Sequence, residues 1–198
     1  MPGLLPRHGR RTATYLLMAL GGLLQAQDGP LQATPPQDPE VRAALLRATM
    51  LLRIAAYIQP AIPPASRPAQ LRVGVVGDDA ASQVLRQQMA GKQFGGRELL
   101  VLAVTADEAM SADKTVNVDL LYVATSIDDA AANKIVAAHR TSPLPLISER
   151  RGFAAGGGTV QLFVKENFLR FEVNVETLKR QGLLADSQLL KMSQRGPR

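Results

Sequence analysis

Cysteine is absent from the chain. That removes disulfides, thiolate metal sites and a cysteine nucleophile together, but it leaves export open, because many exported bacterial proteins carry no disulfide. Tryptophan is absent as well, and aromatic residues make up 4% against a hydrophobic content of 46%. There are two histidines. One of them, His8, sits in the basic N-terminal stretch, leaving His139 alone in the rest of the chain. At the end of an expected helix, beside Arg140, His139 reads as a favourable C-terminal charge and not as a general base. None of the serines sits in a G-x-S-x-G elbow, and no D-x-D-x-D-G loop is available for calcium. Short of a purely carboxylate site, no ordinary metal set can be assembled. An enzyme is therefore not expected, and no cofactor is.

Long apolar runs are missing too. The longest, Tyr15–Leu24, falls short of the roughly 20 residues a membrane span needs. It follows Arg7, His8, Arg10 and Arg11 and precedes Leu24-Gln25-Ala26, the layout of a cleavable secretory signal peptide over residues 1–26. An uncleaved N-terminal anchor is the alternative, and Arg10-Arg11 leaves twin-arginine export beside the general route. Without a cysteine after the apolar run, a lipoprotein anchor is excluded. The three arginines of this stretch supply half of the net charge of +6. The remaining imbalance is small, and no basic run interleaved with aromatics suggests a nucleic-acid partner.

Residues 27–39, rich in proline and glycine and without periodicity, read as a linker. Glu40–Gln59 reads as a long helix, mostly buried, with a wet stripe of Arg42, Thr49 and Arg53. Its apolar arc is wider than one sheet contact needs, which suggests a homodimer or other partner contact. Pro60, Pro63 and Pro64 stop it. Leu71–Gly77, Glu98–Thr105, Asp119–Ala124 and Leu144–Ile147 read as strands, with helices to about Ala90 and over Asp128–His139. Such alternation predicts a single α/β domain over residues 40–193, followed by a short tail: a three-layer sandwich with a mostly parallel central sheet. Gly74-x-x-Gly77 lacks the third glycine of a dinucleotide fingerprint, and Gly156–Gly158 precede a strand instead of a helix, so both read as turns. Asp78-Asp79 reads as a helix cap.

The most informative stretch is Gly152–Ser193. After the glycine turn, Val160, Leu162 and Val164 alternate with Gln161, Phe163 and Lys165. Glu166-Asn167 gives a tight connection, and Phe168–Val175 resumes the period of two. There Leu169, Phe171, Val173 and Val175 face the core, opposite Arg170, Glu172 and Asn174. A short helix, a stop at Gly182 and a last helix from about Asp186 complete an antiparallel hairpin feeding two helices.

Gly152-Phe153, Gly157-Gly158, Arg170-Phe171-Glu172-Val173-Asn174, Gly182-Leu183 and Ser187-Gln188-Leu189-Leu190, in this order and spacing, resemble the C-terminal half of the YfiR family. Weaker similarity in the order of elements reaches back to about Val41. Those proteins are small periplasmic regulators that restrain membrane-bound diguanylate cyclases. The resemblance implies a periplasmic repressor, which binds the outer domain of such a cyclase or another sensor and lowers cyclic-di-GMP and biofilm-type outputs. The alternative is a periplasmic small-ligand-binding module serving a sensor kinase or transporter. Several relatives carry cysteines near the third strand, so their redox behaviour does not transfer to this chain. Arg170 and Glu172, two apart on one strand, are the candidate polar site. Phe153 and Asn174 join them as candidate ligand or partner contacts, with Phe153 also suited to the core.

Overall fold

The computed structural model describes residues 38–62, 68–115 and 117–197. The expected signal peptide and all but the last two residues of the expected linker lie outside them.

Helix α1, Pro39–Ala56, begins where Asp38 accepts a hydrogen bond from the Glu40 N–H and Pro39 occupies the first turn. Proline is at home there because the N–H it lacks would have no helical partner. Arg42 and Arg53 are exposed and Thr49 is half-buried, whereas Ala44, Ala48, Leu51 and Leu52 are buried. The helix stops at Ala56, three residues short of the sequence expectation. Gln59 precedes Pro60, which disfavours helical geometry, and Ile58–Pro60 instead forms β1, antiparallel to β9, Leu183–Ala185.

The main sheet has seven strands. Their spatial order is β3 (Gln93–Phe94), β4 (Arg97–Val104), β2 (Gln70–Val76), β5 (Leu120–Val123), β6 (Leu146–Ser148), β7 (Val160–Lys165) and β8 (Phe168–Val173). The five central strands are parallel, and an antiparallel strand closes each edge. Both faces are covered. Val73, Val75, Leu120 and Tyr122 pack with α1 and with α2, Ala80–Val84, whose last residues run on as a π turn to Met89. On the other face Val76, Leu121 and Val123 pack with α3, Ala106–Ala109, and α4, Asp129–Ala138. Burial on both faces is why the central strands read as apolar runs and not as alternations. The three-layer α/β sandwich is present as expected.

Gly74 and Gly77 serve packing. A Cβ on Gly74 would come within 2.8 Å of Leu121 Cδ1, and Gly77, at φ +78, lies against Ile127.

The hairpin follows its expected register, with Leu162 opposite Phe171 and Val160 opposite Val173. Glu166 and Asn167 both adopt positive φ, 54° and 62°, the geometry of a two-residue turn that matches strand twist. Val164, near the turn, is 57% exposed. One expectation is corrected. Val175 is 41% exposed because the strand has already ended. Asn174 caps the helix α5, Val175–Arg180, by accepting from the Thr177 N–H at 3.0 Å. The final helix α6, Ser187–Met192, is capped by Asp186.

His139 is also corrected. It is 0% exposed, not a charge at an open helix end. Nε2 lies 2.8 Å from the Ala109 carbonyl, so the proton sits on Nε2, and the buried Nδ1 has no hydrogen-bond partner among the described residues. Burial holds its pKa below the usual 6.5. In the unfolded chain the imidazole takes up a proton at a higher pH than in the folded one. Its contribution is therefore complete above about pH 6.5 and is lost as pH falls toward the folded value. Glu149, raised by burial, acts in the opposite sense as pH rises, so the histidine effect is read as a difference. Between about pH 7.5 and about pH 5, the melting temperature of the parent should fall further than that of His139→Gln. Parallel curves would remove the histidine from the account.

Candidate functional site

The four residues singled out in the sequence occupy the end of the sheet built by β7, β8 and the loop before them. Phe153 is buried in the second core with Val136, Leu144 and Leu146. A Cβ on Gly158 would stand 2.2 Å from its ring, so the glycine is what lets the loop close over the phenylalanine. Phe153 is thus a core residue at the base of the loop. Asn174, besides capping α5, donates from Nδ2 to the Ala154 carbonyl at 2.6 Å. It ties the start of that helix to the same loop.

Arg170 and Glu172 share the face of β8 that pairs with Phe163 and Gln161. The Arg170 guanidinium sits over the Phe168 ring, 5.0 Å from its centroid. That ring is 60% exposed. Glu172 turns toward the segment that follows α6 and accepts the Gly196 N–H at 2.7 Å. The same segment donates from Gln194 N to the Phe171 carbonyl, and its Ser193 hydroxyl accepts from Val173 N. Two edge groups of β8 are thereby occupied. An unpaired sheet edge invites pairing with another chain. Here Ser193 and Gln194 occupy part of it, while toward the hairpin tip Phe168 is exposed and Arg170 is half-buried. Alternation predicted that Arg170 and Glu172 would share a face, and they do. Their neighbours, a ring two residues away and a glycine near the end of the chain, depend on tertiary packing.

A second polar cluster was not anticipated. The connection from β2 leads toward β4, while that from β5 leads toward β6, so the sheet has its topological switch point between β2 and β5. The carboxyl ends of strands at such a point form the usual crevice for ligands. Here the chain's own polar side chains meet at that point. Asp79, which caps α2 through Oδ1, uses Oδ2 to accept from Tyr122 Oη at 2.9 Å and from Thr125 N at 3.0 Å. Glu149, after β6, lies on the other side of the Tyr122 hydroxyl, and Arg47 of α1 brings Nε to 2.9 Å from its Oε2. That Nε is buried yet not aimed along a hydrogen bond, so the contact is an ion pair by proximity. Burial, followed by the charges of Glu149 and Asp79, drives the Tyr122 pKa far above the ordinary phenol range. The tyrosine acts only as a donor and pins α1, β2, β5 and β6 together. Asp79 immediately after a strand was the one local signal, and its cap role was read; its reach to Tyr122 was not.

Among the described residues, no helix is long and apolar enough to cross a membrane. The YfiR/HmsC-like family model matches residues 44–194, and the chain belongs to that family. Membership is consistent with a periplasmic regulator of cyclic-di-GMP signalling. A crystal structure of a conserved domain protein from Vibrio cholerae O1 biovar eltor str. N16961 is similar at 14% sequence identity and a TM-score of 0.49. The similarity covers 78% of this chain and 59% of that one. No curated protein matches the chain.

Proposed function

We propose that this protein is a non-enzymatic periplasmic regulator, exported by a cleavable signal peptide, that binds the outer domain of an inner-membrane diguanylate cyclase and represses it. Cyclic-di-GMP and biofilm-type outputs fall as a result. Family membership supports the class. The observation that carries the docking surface is the exposed Phe168 ring with the Arg170 guanidinium stacked on it, at the uncovered half of an edge strand. Aromatic and arginine side chains dominate the energetics of protein interfaces, and an edge strand offers backbone groups beside them. Repression then follows from linkage: the regulator binds the inactive conformation of the cyclase more tightly and shifts its population.

The direct test is binding of the chain from residue 27 onward to the isolated periplasmic domain of the cyclase. Arg170→Glu and Phe168→Ser should each weaken binding about tenfold or more, the scale of a hot-spot residue, with melting temperatures unchanged. Undiminished binding by both variants would place the docking surface elsewhere. Glu172→Ala is the comparison that separates the tail contact from partner recognition, since Glu172 holds Gly196.

A homodimer would use α1, where Leu46 remains exposed. Light scattering on the same chain would show it as twice the monomer mass.

A further inference from the structure

A groove runs between α4 and the loop before β7. One end, about 160 Å³, is lined by Val136 of α4 and Arg140 just beyond its end, Gly156 and Gly157 from the loop, and Asn174 and Arg180 from the two ends of the α5 segment. No carboxylate lines it. Arg140 and Arg180 are exposed, and among the described residues neither has a carboxylate within ion-pair distance. Arg47, Arg86, Arg97 and Arg150 each have one. The acid nearest in sequence to Arg180, Glu176, is paired with Lys179 at 3.2 Å.

The wall of this groove is fixed in place. Arg180 donates from Nη2 to Thr177 Oγ1 at 3.1 Å, and that hydroxyl donates in turn to the Gly157 carbonyl at 3.1 Å. Gly157 has φ +104, and a Cβ there would approach Val136 Cγ1 to 3.2 Å, so a side chain would intrude on the groove. The N–H groups of the loop's three glycines are spent. Gly156 donates to Gly152, Gly157 to Ala154 and Gly158 to Phe153. A glycine nest that cradles phosphate through backbone amides is thereby excluded, and recognition falls to the two guanidinium groups. Guanidinium forks match the paired oxygens of phosphate. The groove continues into a second part of about 230 Å³ that shares Val136 and Gly156 and adds Asn133, Phe153, Arg151 and the paired Asp129 and Arg150, with room for the polar body of an organic molecule beyond its phosphate.

We propose that this groove is a binding site for a phosphate-bearing small molecule, with Arg140 and Arg180 holding the phosphate group. The site is independent of the hairpin surface, and its failure would leave the partner reading standing. The probe is inorganic phosphate, titrated into the chain from residue 27 onward at constant ionic strength set with chloride, and followed by amide resonances. Gly156, Gly157 and Asn174 should shift saturably. Arg140→Gln, which touches none of the bonds that fix the wall, should weaken binding about tenfold, and Arg140→Gln with Arg180→Gln should abolish it. Arg53→Gln, exposed on α1, should leave it unchanged. A second arm uses vesicles of phosphatidylglycerol. Binding to vesicles through the same arginines without saturable phosphate binding would overturn the small-molecule assignment in favour of a lipid headgroup. Shifts linear in phosphate, or equal in Arg140→Gln, would overturn the site.

Discussion

Phe171→Ala should destabilise the domain by about 3–5 kcal/mol, the usual cost of emptying a buried phenylalanine site. Phe171 is 7% exposed and packs in the larger core with Leu162, its cross-strand partner, and with Val160 and Val173. Because β8 has β7 on one side and only a short covering segment on the other, there is little rigid structure to share the loss. Urea unfolding is the measurement. The midpoint should fall by more than about 1 M with little change in slope, since slope reports surface exposed on unfolding. A loss under about 1 kcal/mol would mean that the inward face of β8 is not a core face.

The second large effect is expected at Gly158. An alanine Cβ would lie 2.2 Å and 2.3 Å from two ring atoms of Phe153, inside any tolerable contact. Either the loop lifts or the ring leaves its place among Val136, Leu144 and Leu146. Overpacking alone costs about 1–3 kcal/mol, and partial loss of the phenylalanine contact adds to it, so about 3 kcal/mol or more is expected for Gly158→Ala. Shortening the ring should relieve the clash. In the double variant Gly158→Ala with Phe153→Leu, the combined cost should be smaller than the sum of the two single costs by at least about 1 kcal/mol. Additive costs would show that the ring and the glycine do not meet. The same cycle decides how Phe153 is used, because a phenylalanine reserved for a partner would not couple to a buried glycine.

Most of the architecture was legible because burial leaves marks of the right period. The runs of β2 and β5, apolar on both faces, read as central strands of a covered parallel sheet. The alternation in β7 and β8 fixed which side of the hairpin faces the larger core. The misreadings fall where one local pattern gives way to another. Val175 keeps the period of two, but Asn174 accepts from the Thr177 N–H and starts a helix instead. β1 and β9 are three residues each, too short to show a period, and exist because they pair with each other. His139 reads as a helix-end charge from sequence, and only the packing of α3 against α4 shows it buried. The candidate site divides in the same way. That Arg170 and Glu172 share a face is a matter of parity. That one stacks on Phe168 and the other holds Gly196 depends on where the tail runs. The tie between Arg47, Asp79, Tyr122 and Glu149 draws on four elements far apart in the chain, and the capping Asp79 is its one local trace.

Cellular cyclic-di-GMP, compared between the parent strain and a deletion of this gene in cells expressing a membrane diguanylate cyclase that the protein binds, tests the central claim most directly. The account predicts a rise on deletion. The parent gene should restore the original level, and Arg170→Glu should fail to do so while accumulating normally in the periplasm. Unchanged cyclic-di-GMP on deletion would contradict the regulatory reading.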